Sequence, residues 1–388
     1  MENVVVVSAY RTPIGKVPGS LSPMSDVKLM AYCFNEIIKK TGIDASKIED
    51  AYTGCSFPEE RDNLCRKAIL AGGLPQTIPG STITRTCASS MEALAQGAYK
   101  VMVGDSEIVL VGGVEIMSKS SYALSFFKKG IKAAMKNQLP SYEQVMSTLE
   151  ENEMTYLAEM MGRKFGISRR EQDEYTFASF EKARSAQKNC FFNDEIIPVE
   201  TVENDGRYVF KEDELILEDP VFEDFENAHP LFINDGNISR YNSAPIGDAA
   251  AAVILMSERR AKQEGLKPIA QIHKMGVVGV VPEKLGLGTV EVVNSILKRT
   301  GLSVEDIDLF ECNESFAAQA IVCQRLLGIK PERMNVNGGS LSLGYPVGCT
   351  GLRICVTLLH EMKRRSSMYG MAAICAGGGM GQGILFKV

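Results

Sequence analysis

The stretch Thr41-Gly-Ile-Asp-Ala-Ser-Lys-Ile-Glu-Asp50 has a second copy later in the chain, Thr300-Gly-Leu-Ser-Val-Glu-Asp-Ile-Asp308. Ile48 follows Gly42 at the same spacing as Ile307 follows Gly301. In each copy a helical pattern ends at the glycine and a β-strand is predicted to follow. The repeat, offset by the 259 residues from Gly42 to Gly301, predicts an α/β fold made of two similar halves.

A reactive cysteine is predicted at the centre of the first half. The stretch Thr84-Arg-Thr-Cys-Ala-Ser-Ser-Met91 lies between a predicted buried strand and a predicted helix. At such a turn, backbone N–H groups and the positive end of the helix dipole converge. They favour the nucleophilic thiolate, so the pKa of Cys87 is predicted to lie below that of a free cysteine. The alternative is a buried structural cysteine.

Adding the same offset to the number of Cys87 gives Pro346, which lies at a second predicted strand-to-helix turn. Two similar halves pack best with their central helices together. Both helix N-termini would then face one crevice, and this is where we expect the site.

Composition narrows the classes of function. The net charge is −6 and no basic stripe is interleaved with aromatic residues, so a nucleic-acid partner is not expected. Ten cysteines without CxxC spacing and only three histidines do not form a zinc pattern, so no metal is predicted. Scattered cysteines indicate a reducing compartment, and we predict a cytoplasmic protein. No apolar run approaches about 18 residues, so no membrane span is expected.

An insertion is predicted within the first half. Composition changes at Ser118, and regular apolar structure resumes only at Ala249, as though an edge strand of the first sheet were missing until then. The predicted domains are therefore 1–117 with 246–258, an inserted loop domain at 118–245, and 259–388.

Periodicity predicts the individual elements. Strands are predicted at 4–7, 51–55, 81–85, 108–113, 195–200 and 249–256. Helices are predicted at 26–40, 63–72, from the Cys87 turn to about 103, 154–163 and 169–188.

Three further stretches combine reactive groups with unusual backbone demands. They are Cys312-Asn-Glu-Ser-Phe-Ala-Ala-Gln-Ala320, Asn337-Gly-Gly-Ser-Leu-Ser-Leu-Gly-Tyr-Pro-Val-Gly-Cys-Thr-Gly351 and Cys375-Ala-Gly-Gly-Gly-Met-Gly381. The first holds Asn313 and Glu314, for which structural and catalytic roles are both open. The second lacks the lysine of a phosphate-binding P-loop. The third is either an oxyanion hole or a tight turn with an inert cysteine.

Together these motifs resemble the thiolase family over nearly the whole chain. The resemblance also includes Ser8-Ala-Tyr-Arg-Thr-Pro-Ile-Gly-Lys16, Gly112-Gly-Val-Glu-Ile-Met-Ser118, Phe165-Gly-Ile-Ser-Arg-Arg-Glu-Gln-Asp173 and Gly247-Asp-Ala-Ala-Ala-Ala-Val253. It implies a five-layered α/β/α/β/α fold of two βαβαβαββ halves, with a loop domain over the coenzyme A site.

The resemblance also implies roles for individual residues. Cys87 would carry the acyl group as a thioester, and Cys375 would act as acid and base. Gly377 would donate its N–H to an oxyanion, and Asn313 would hold a water at a second oxyanion. The substrate-binding positions would be Glu153, Met154, Ala244 and Phe316.

The chain departs from the family pattern at three places. Tyr345 occupies the position of the histidine in the family's Gly-His-Pro motif, and tyrosine is a poor base at neutral pH. Ala244 stands where the family has a serine that contacts pantetheine, and Glu153 where it has a histidine near the acyl pocket. Lys128, Lys129 and Lys132 could supply charge for coenzyme A, or could form a solvated basic face.

The function implied is an acyl-CoA C-acyltransferase that forms or cleaves 3-ketoacyl-CoA through an acyl-Cys87 thioester. Coenzyme A and acyl-CoA would be substrates, and no prosthetic group is expected. One alternative is a condensing or acyl-transfer enzyme with a different acceptor. Another is a catalytically weak subunit that acts with a protein partner. The resemblance implies homodimers or homotetramers.

Overall fold

A computed structural model describes residues 2–59, 62–119, 153–203, 206–231 and 235–388. The strands in these ranges are β1 (Val4–Arg11), β2 (Gly15–Lys16), β3 (Asp50–Gly54), β4 (Ser81–Ile83), β5 (Ile108–Ile116), β6 (Val199–Glu203), β7 (Gly206–Phe210), β8 (Gly247–Ser257), β9 (Ala270–Gly279), β10 (Leu309–Cys312), β11 (Tyr369–Ala376) and β12 (Met380–Lys387). The α-helices are α1 (Asp26–Thr41), α2 (Leu64–Ala71), α3 (Ser89–Met102), α4 (Glu153–Lys164), α5 (Arg169–Lys188), α6 (Phe222–Glu226), α7 (Glu258–Gln263), α8 (Gly288–Thr300), α9 (Ala317–Leu327), α10 (Ser340–Leu343) and α11 (Thr350–Arg365). Within the described ranges, no helix is long and apolar enough to cross a bilayer.

The strands of the two halves meet along one short contact. Nine strands follow the order β10-β11-β12-β9-β1-β8-β5-β3-β4, and β2 pairs with β8. The link between the halves is the pairing of β1 with β9, where only Val5 and Val6 have partners. In contrast, β1 pairs with β8 along nearly its whole length. The path therefore consists of two sheets, one from each half.

Three apolar cores lie between the layers that the two sheets and the helices form. Val109 and Val111 of β5 share the central core with Ile374 of β11, and α3 and α11 fill the space between the sheets. The alternate residues Ile108 and Leu110 face an outer core with α1 and α2. A third core lies between the second sheet and the helices α8 and α9. The predicted five-layered α/β/α/β/α arrangement is confirmed.

The repeat is confirmed at its helix ends. Gly42 after α1 and Gly301 after α8 both adopt the left-handed conformation, each with φ 73°. The Gly42 N–H bonds the Ile38 carbonyl and the Gly301 N–H bonds the Leu297 carbonyl, both at 2.9 Å. This ending satisfies carbonyls that the helix leaves unpaired, and glycine adopts it without a Cβ clash.

The second half differs from the predicted βαβαβαββ order. Between α9 and α10, a stretch that the structure describes in full, the chain makes no third strand. Met334 is the residue there that pairs with β10, through Phe310, while Val336 pairs only locally with Gly338. Asn335 then turns the backbone away with φ 46°, which ends the pairing after one residue.

Three strand predictions are corrected. β8 lies between β1 and β5, so the strand that closes the insertion is interior and not at an edge. β5 continues through Gly112 and Gly113, where a Cβ would come within 2.7 Å of Met30 and 2.4 Å of Ser90. β6 begins at Val199 instead of Glu195, because Pro198 has no N–H to continue a ladder.

The two central helices pack in direct contact. A Cβ on Gly351 of α11 would lie 2.7 Å from the Met91 Cβ of α3. Next to it, the Leu352 N–H donates to the Ser90 Oγ at 2.8 Å. The predicted pairing of the central helices is confirmed.

A buried ion-pair cluster joins the insertion to the first sheet. Arg11 of β1 is fully buried. Its Nε donates to Glu195 at 2.6 Å, and its two Nη atoms donate to Asp213 at 2.7 and 3.0 Å. Thr357 of α11 also donates to Glu195, at 3.0 Å. One guanidinium thus connects β1 with two separate parts of the insertion.

We expect Arg11→Met to lower the free energy of unfolding by about 3–5 kcal/mol, because it leaves two buried carboxylates without their cation. Urea denaturation followed by circular dichroism measures the change. Lys39→Met is the control, since the Lys39–Glu36 pair is exposed and should contribute less than about 0.5 kcal/mol. Equal effects of the two substitutions would contradict a stabilising role for the buried ion-pair cluster of Arg11.

Candidate active site

Cys87 lies at the predicted strand-to-helix turn, between β4 and α3. The preceding Thr86 has φ 45°, a left-handed conformation that is strained for a β-branched residue and costs about 1–3 kcal/mol. The hydroxyls of Ser56 and Ser89 each donate to the Thr86 carbonyl at 2.6 Å. These bonds hold the turn and present the Cys87 side chain at the start of α3.

Tyr345 approaches Cys87 from the second half. Its N–H donates to the Pro245 carbonyl at 2.8 Å, and its carbonyl accepts from the Gly247 N–H at 3.2 Å. The ring is buried, and the hydroxyl lies beside the Cys87 sulfur and Ser315. Neither neighbour forms a hydrogen bond of standard geometry with it, so the hydroxyl is a buried polar atom without a well-formed partner.

Cys375 and Gly377 bring the end of β11 to the same place. The chain turns from β11 into β12 through Gly378 and Gly379, whose φ angles are 83° and 77°. Within this turn the Gly377 N–H lies near the Cys87 sulfur and lowers the pKa of that thiol. Cys375 is buried and close enough to Cys87 for the charges of the two groups to interact.

Asn313 reaches the site through a neighbouring serine. Its Nδ2 donates to the Ser315 Oγ at 3.0 Å, and Ser315 lies against both Tyr345 and Cys375. The Ser315 carbonyl accepts from the Ala244 N–H at 3.0 Å. Sequence reasoning missed Ser315, although a hydroxyl two residues after Asn313 in the same strand-to-helix turn was the available signal.

Two predicted substrate positions adjoin this group. Ala244 packs against the apolar core that contains Cys87 and Tyr345. Phe316 precedes α9 and pairs through its backbone with Ser243, the neighbour of Ala244. The structure therefore brings Ala244 and Phe316 to the edge of the site.

The two remaining substrate positions lie on another helix. Glu153 and Met154 begin α4, which packs on α9. No described contact joins Met154 to either cysteine. The predicted basic residues Lys128, Lys129 and Lys132 lie outside the described residues.

Glu314 has a structural role. Its carboxylate accepts from Tyr175 at 2.9 Å, Ser179 at 3.0 Å and Asn335 at 2.7 Å. It also accepts from the Leu341 N–H in the first turn of α10, at 3.3 Å. Of the roles left open, capping a helix is the one that these contacts support.

The prediction that Pro346 mirrors Cys87 after a strand is wrong. Pro346 follows the short helix α10, not a strand. The backbone pairing of Arg85 with Cys87 has its counterpart in the pairing of Val336 with Gly338. The second half thus repeats the turn eight residues earlier, at a glycine, and the repeated turn carries no thiol.

The prediction of a lowered pKa for Cys87 is also wrong. Burial raises the pKa of the Cys87 thiol, and this outweighs the lowering of that pKa by the nearby Tyr345 hydroxyl, the Gly377 N–H and its own N–H. Burial likewise raises the pKa of Cys375 to about 12 and that of Tyr345 well above its ordinary value. The three side chains are therefore protonated at neutral pH.

None of the three histidines has a described contact with Cys87, Tyr345 or Cys375. His229 is exposed on the insertion. His273 of β9 faces the Tyr369 ring at 5.8 Å, and the Nε2 of His360 bonds the Ala9 carbonyl oxygen at 2.8 Å. In the part of the chain that the structure describes, no three His, Cys, Asp or Glu side chains are grouped to hold a metal.

Glu115 is a buried carboxylate that sequence reasoning did not single out. It accepts from the backbone N–H groups of Ser56 at 2.9 Å, Phe57 at 3.0 Å and Gly348 at 2.7 Å. The thiol of Cys55 lies 3.3 Å from it. A carboxylate inside a strand that is buried throughout was the signal in the sequence, since such a charge requires partners.

Comparison with known proteins places these motifs in one family. Residues 4–259 match the thiolase N-terminal domain and residues 266–388 match the thiolase C-terminal domain. The chain is 37% identical to a 3-ketoacyl-CoA thiolase of Bacillus subtilis (strain 168), with 100% of both proteins covered. The crystal structure of a Bacillus anthracis acetyl-CoA acetyltransferase matches with a TM-score of 0.91 and 36% identity, over 100% of this chain and 99% of the other. Human mitochondrial 3-ketoacyl-CoA thiolase in complex with CoA matches with a TM-score of 0.88 and 30% identity, over 100% and 98%.

We expect alkylation of Cys87 by iodoacetamide to keep accelerating from about pH 7 to above about pH 9, because a raised pKa leaves little thiolate at neutrality. Peptide mass spectrometry after timed labelling gives the rate at each pH. Free N-acetylcysteine in the same buffers is the reference, and its rate should level off near the pKa of a free thiol, about 8.5. A Cys87 profile that levels off below that of the free thiol would contradict the effect of burial.

Proposed function

The chain belongs to the thiolase family, and we propose that it acts as an acyl-CoA C-acyltransferase through an acyl-Cys87 thioester. One observation carries this proposal. A buried cysteine at a helix N-terminus shares a site with a second cysteine, a tyrosine hydroxyl and the N–H of Gly377. Acyl transfer to carbon requires a nucleophile, an acid or base and oxyanion donors, and these groups match those needs.

The first half-reaction is thiol–thioester exchange. The Cys87 sulfur attacks the acyl carbon of acyl-CoA, the carbon–sulfur bond to coenzyme A breaks, and the Cys87 proton leaves with the coenzyme A thiol. The N–H groups of Cys87 and Gly377 lie near the Cys87 sulfur and would donate to negative charge that develops on the acyl oxygen.

The second half-reaction uses Cys375. Cys375 first loses its thiol proton to solvent; as a thiolate it takes the α-proton of a second acyl-CoA, and the resulting carbanion attacks the acyl carbon on Cys87. The carbon–sulfur bond to Cys87 breaks, a 3-ketoacyl-CoA forms, and the Cys87 thiolate regains a proton from solvent. In the reverse direction Cys375 returns the proton. Coenzyme A and acyl-CoA are substrates in this scheme, and no prosthetic group takes part.

We propose that Tyr345, in the position of the family histidine, donates a hydrogen bond and does not act as a base. Burial and the two neighbouring cysteines raise its pKa, so its hydroxyl stays protonated. It can stabilise the Cys87 thiolate, but it cannot remove the proton beforehand. This favours a slow or specialised enzyme and keeps two alternatives: transfer to another acceptor, or a weak subunit that acts with a protein partner.

Membership of the family also supports proposals about the assembly, the location, the loop domain and the substrate contacts. We propose a homodimer or homotetramer, a cytoplasmic location and a loop domain at 118–245 that covers the acyl-CoA site. Ala244 and Phe316 would border the pantetheine and the acyl group, with Glu153 and Met154 contributing from α4. Asn313 would hold a water for the second oxyanion.

We expect mixing with acetyl-CoA to add one acetyl group to the protein, and Cys87→Ala to abolish the addition. Intact-mass spectrometry after acid quenching detects the adduct. Cys190→Ala is the matched control, because that cysteine is exposed and lies outside the site. No adduct with acetyl-CoA or a series of longer acyl-CoAs would favour the partner-dependent subunit.

Substitutions of Tyr345 test two separate points: whether its hydroxyl acts as a hydrogen-bond donor, and whether the absence of a general base at this position limits the rate. We expect Tyr345→Phe, which removes only the hydroxyl, to reduce kcat for thiolysis of acetoacetyl-CoA about a hundredfold. Tyr345→His restores a group that can accept the Cys87 proton and should raise kcat about a hundredfold. Steady-state kinetics measure both values. If the histidine variant gains nothing, the loss of the histidine does not limit this enzyme.

A further inference from the structure

A buried arginine lies behind the site in the second half. Arg353 of α11 is 1% exposed. Its Nη2 donates to the Ser340 Oγ at 2.9 Å. Its Nε and Nη1 have no hydrogen-bond partner, and the nearest carboxylate oxygen, on Glu311, is 3.9 Å from Nη1. The catalytic scheme above uses neither Arg353 nor Ser340.

The direction of the hydrogen bonds from Arg353 follows from the chemistry of each group. A guanidinium only donates, so Ser340 accepts from it. The single hydroxyl proton of Ser340 then goes to Asn313 Oδ1, 2.7 Å away. Asn313 is thereby fixed with Oδ1 towards Ser340 and Nδ2 towards Ser315, to which it donates at 3.0 Å.

The same direction continues into the site. Ser315 accepts from Asn313, so its own proton is free to point at Tyr345 or Cys375, the two groups it lies against. Donation from Ser315 to either group lowers the pKa of that group. A tyrosine that accepts from Ser315 would direct its own proton to the Cys87 sulfur, the other group beside its hydroxyl.

We propose that Arg353 and Ser340 are positioning residues that hold Asn313, Ser315 and Tyr345 as successive hydrogen-bond donors towards Cys87. The proposal deepens the proposed function and rests on it, since the chain would assist a thiol that has no base. Arg353 acts through the other groups and touches no reacting atom.

The surroundings leave the charge of Arg353 mostly uncompensated. Burial raises the pKa of Glu311 to about 8, so this neighbour is largely protonated at neutral pH. Arg11 also faces Arg353, while Glu195 and Glu314 are the other acidic groups near it. Glu195 is bonded to Arg11, and Glu314 accepts four hydrogen bonds of its own. A buried cation whose negative neighbours are engaged elsewhere polarises the hydrogen bond it makes to Ser340.

The groups that face Cys87 itself come from several segments. Tyr345 precedes α11, Cys375 ends β11, and Glu115 of β5 disfavours the thiolate through its negative charge. The Ser340 side chain bonds Asn313 and Arg353 and none of these three groups directly. A shift in the titration of Cys87 in a Ser340 variant therefore reports on the donor chain.

The test is the pH profile of Cys87 alkylation in Ser340→Ala. Without the serine hydroxyl, the Asn313 amide can turn over and accept from Ser315, so Tyr345 loses its donor. We expect the midpoint of Cys87 labelling by iodoacetamide to rise by about one pH unit, and the rate at neutral pH to fall about tenfold. Peptide mass spectrometry reads Cys87 and the exposed Cys190 in the same sample, and the Cys190 profile should not change.

Two further variants complete the design. Ser342→Ala removes a second buried hydroxyl of α10, one that bonds Ser179 and the Gly339 carbonyl, and should leave the Cys87 midpoint unchanged. Arg353→Met removes the cation and should shift the midpoint in the same direction as Ser340→Ala. If Arg353→Met does not fold, Ser340→Ala alone decides.

The outcomes are distinct. An upward shift in Ser340→Ala with none in Ser342→Ala supports the donor chain. A wild-type midpoint in folded Ser340→Ala, or equal shifts in both serine variants, overturns it. Because the probe is iodoacetamide, this result does not depend on acyl transfer. Failure of wild-type protein to form an acyl adduct would overturn the proposed function alone.

Discussion

One buried carboxylate joins the two halves at the site. Glu115 of the first sheet accepts three backbone N–H groups, two from the segment after β3 and one from Gly348, at the approach to α11. A side chain at Gly348 would place its Cβ 2.5 Å from this carboxylate. Glycine there lets the second half approach closely enough for Tyr345 to reach Cys87. A charge buried in a strand becomes acceptable because these donors replace its hydration.

The chemistry of the site results from a competition between burial and donated hydrogen bonds. The turn at Thr86 places Cys87 at a helix N-terminus, as nucleophilic cysteines often are. Burial between the two sheets destabilises the Cys87 thiolate more than the nearby hydrogen-bond donors stabilise it, so the thiol stays protonated in the resting protein. The donors matter most when negative charge appears during acyl transfer, because preorganised N–H and O–H groups need no rearrangement at that moment.

The repeat gives the two halves similar elements, which differ at the turn before the central helix. Gly42 and Gly301 end equivalent helices in the same conformation. At the turn before the central helix, however, the first half has Cys87 and the second half has Gly338. The short helix α10 then displaces the start of α11 and carries Ser340 and the segment leading to Tyr345. The two halves share one frame, and they differ at this turn: the first half carries Cys87 there, and the second half continues into the segment that holds Ser340 and Tyr345.

The sequence by itself determined the two similar α/β halves and the positions of both cysteines at turns, and its resemblance to the thiolase family implied the five layers. Helical periodicity, capping glycines and β-branched runs act over a few residues, so they can be read from the chain in order. It did not determine the pKa of Cys87, the interior place of β8 or the missing third strand. Those depend on segments far apart in the chain: Gly348 meets Glu115, Leu352 meets Ser90, and Arg353 acts on Asn313 through Ser340. Only the tertiary structure brings these groups together, and the ionisation of a buried thiol depends on all of its neighbours at once.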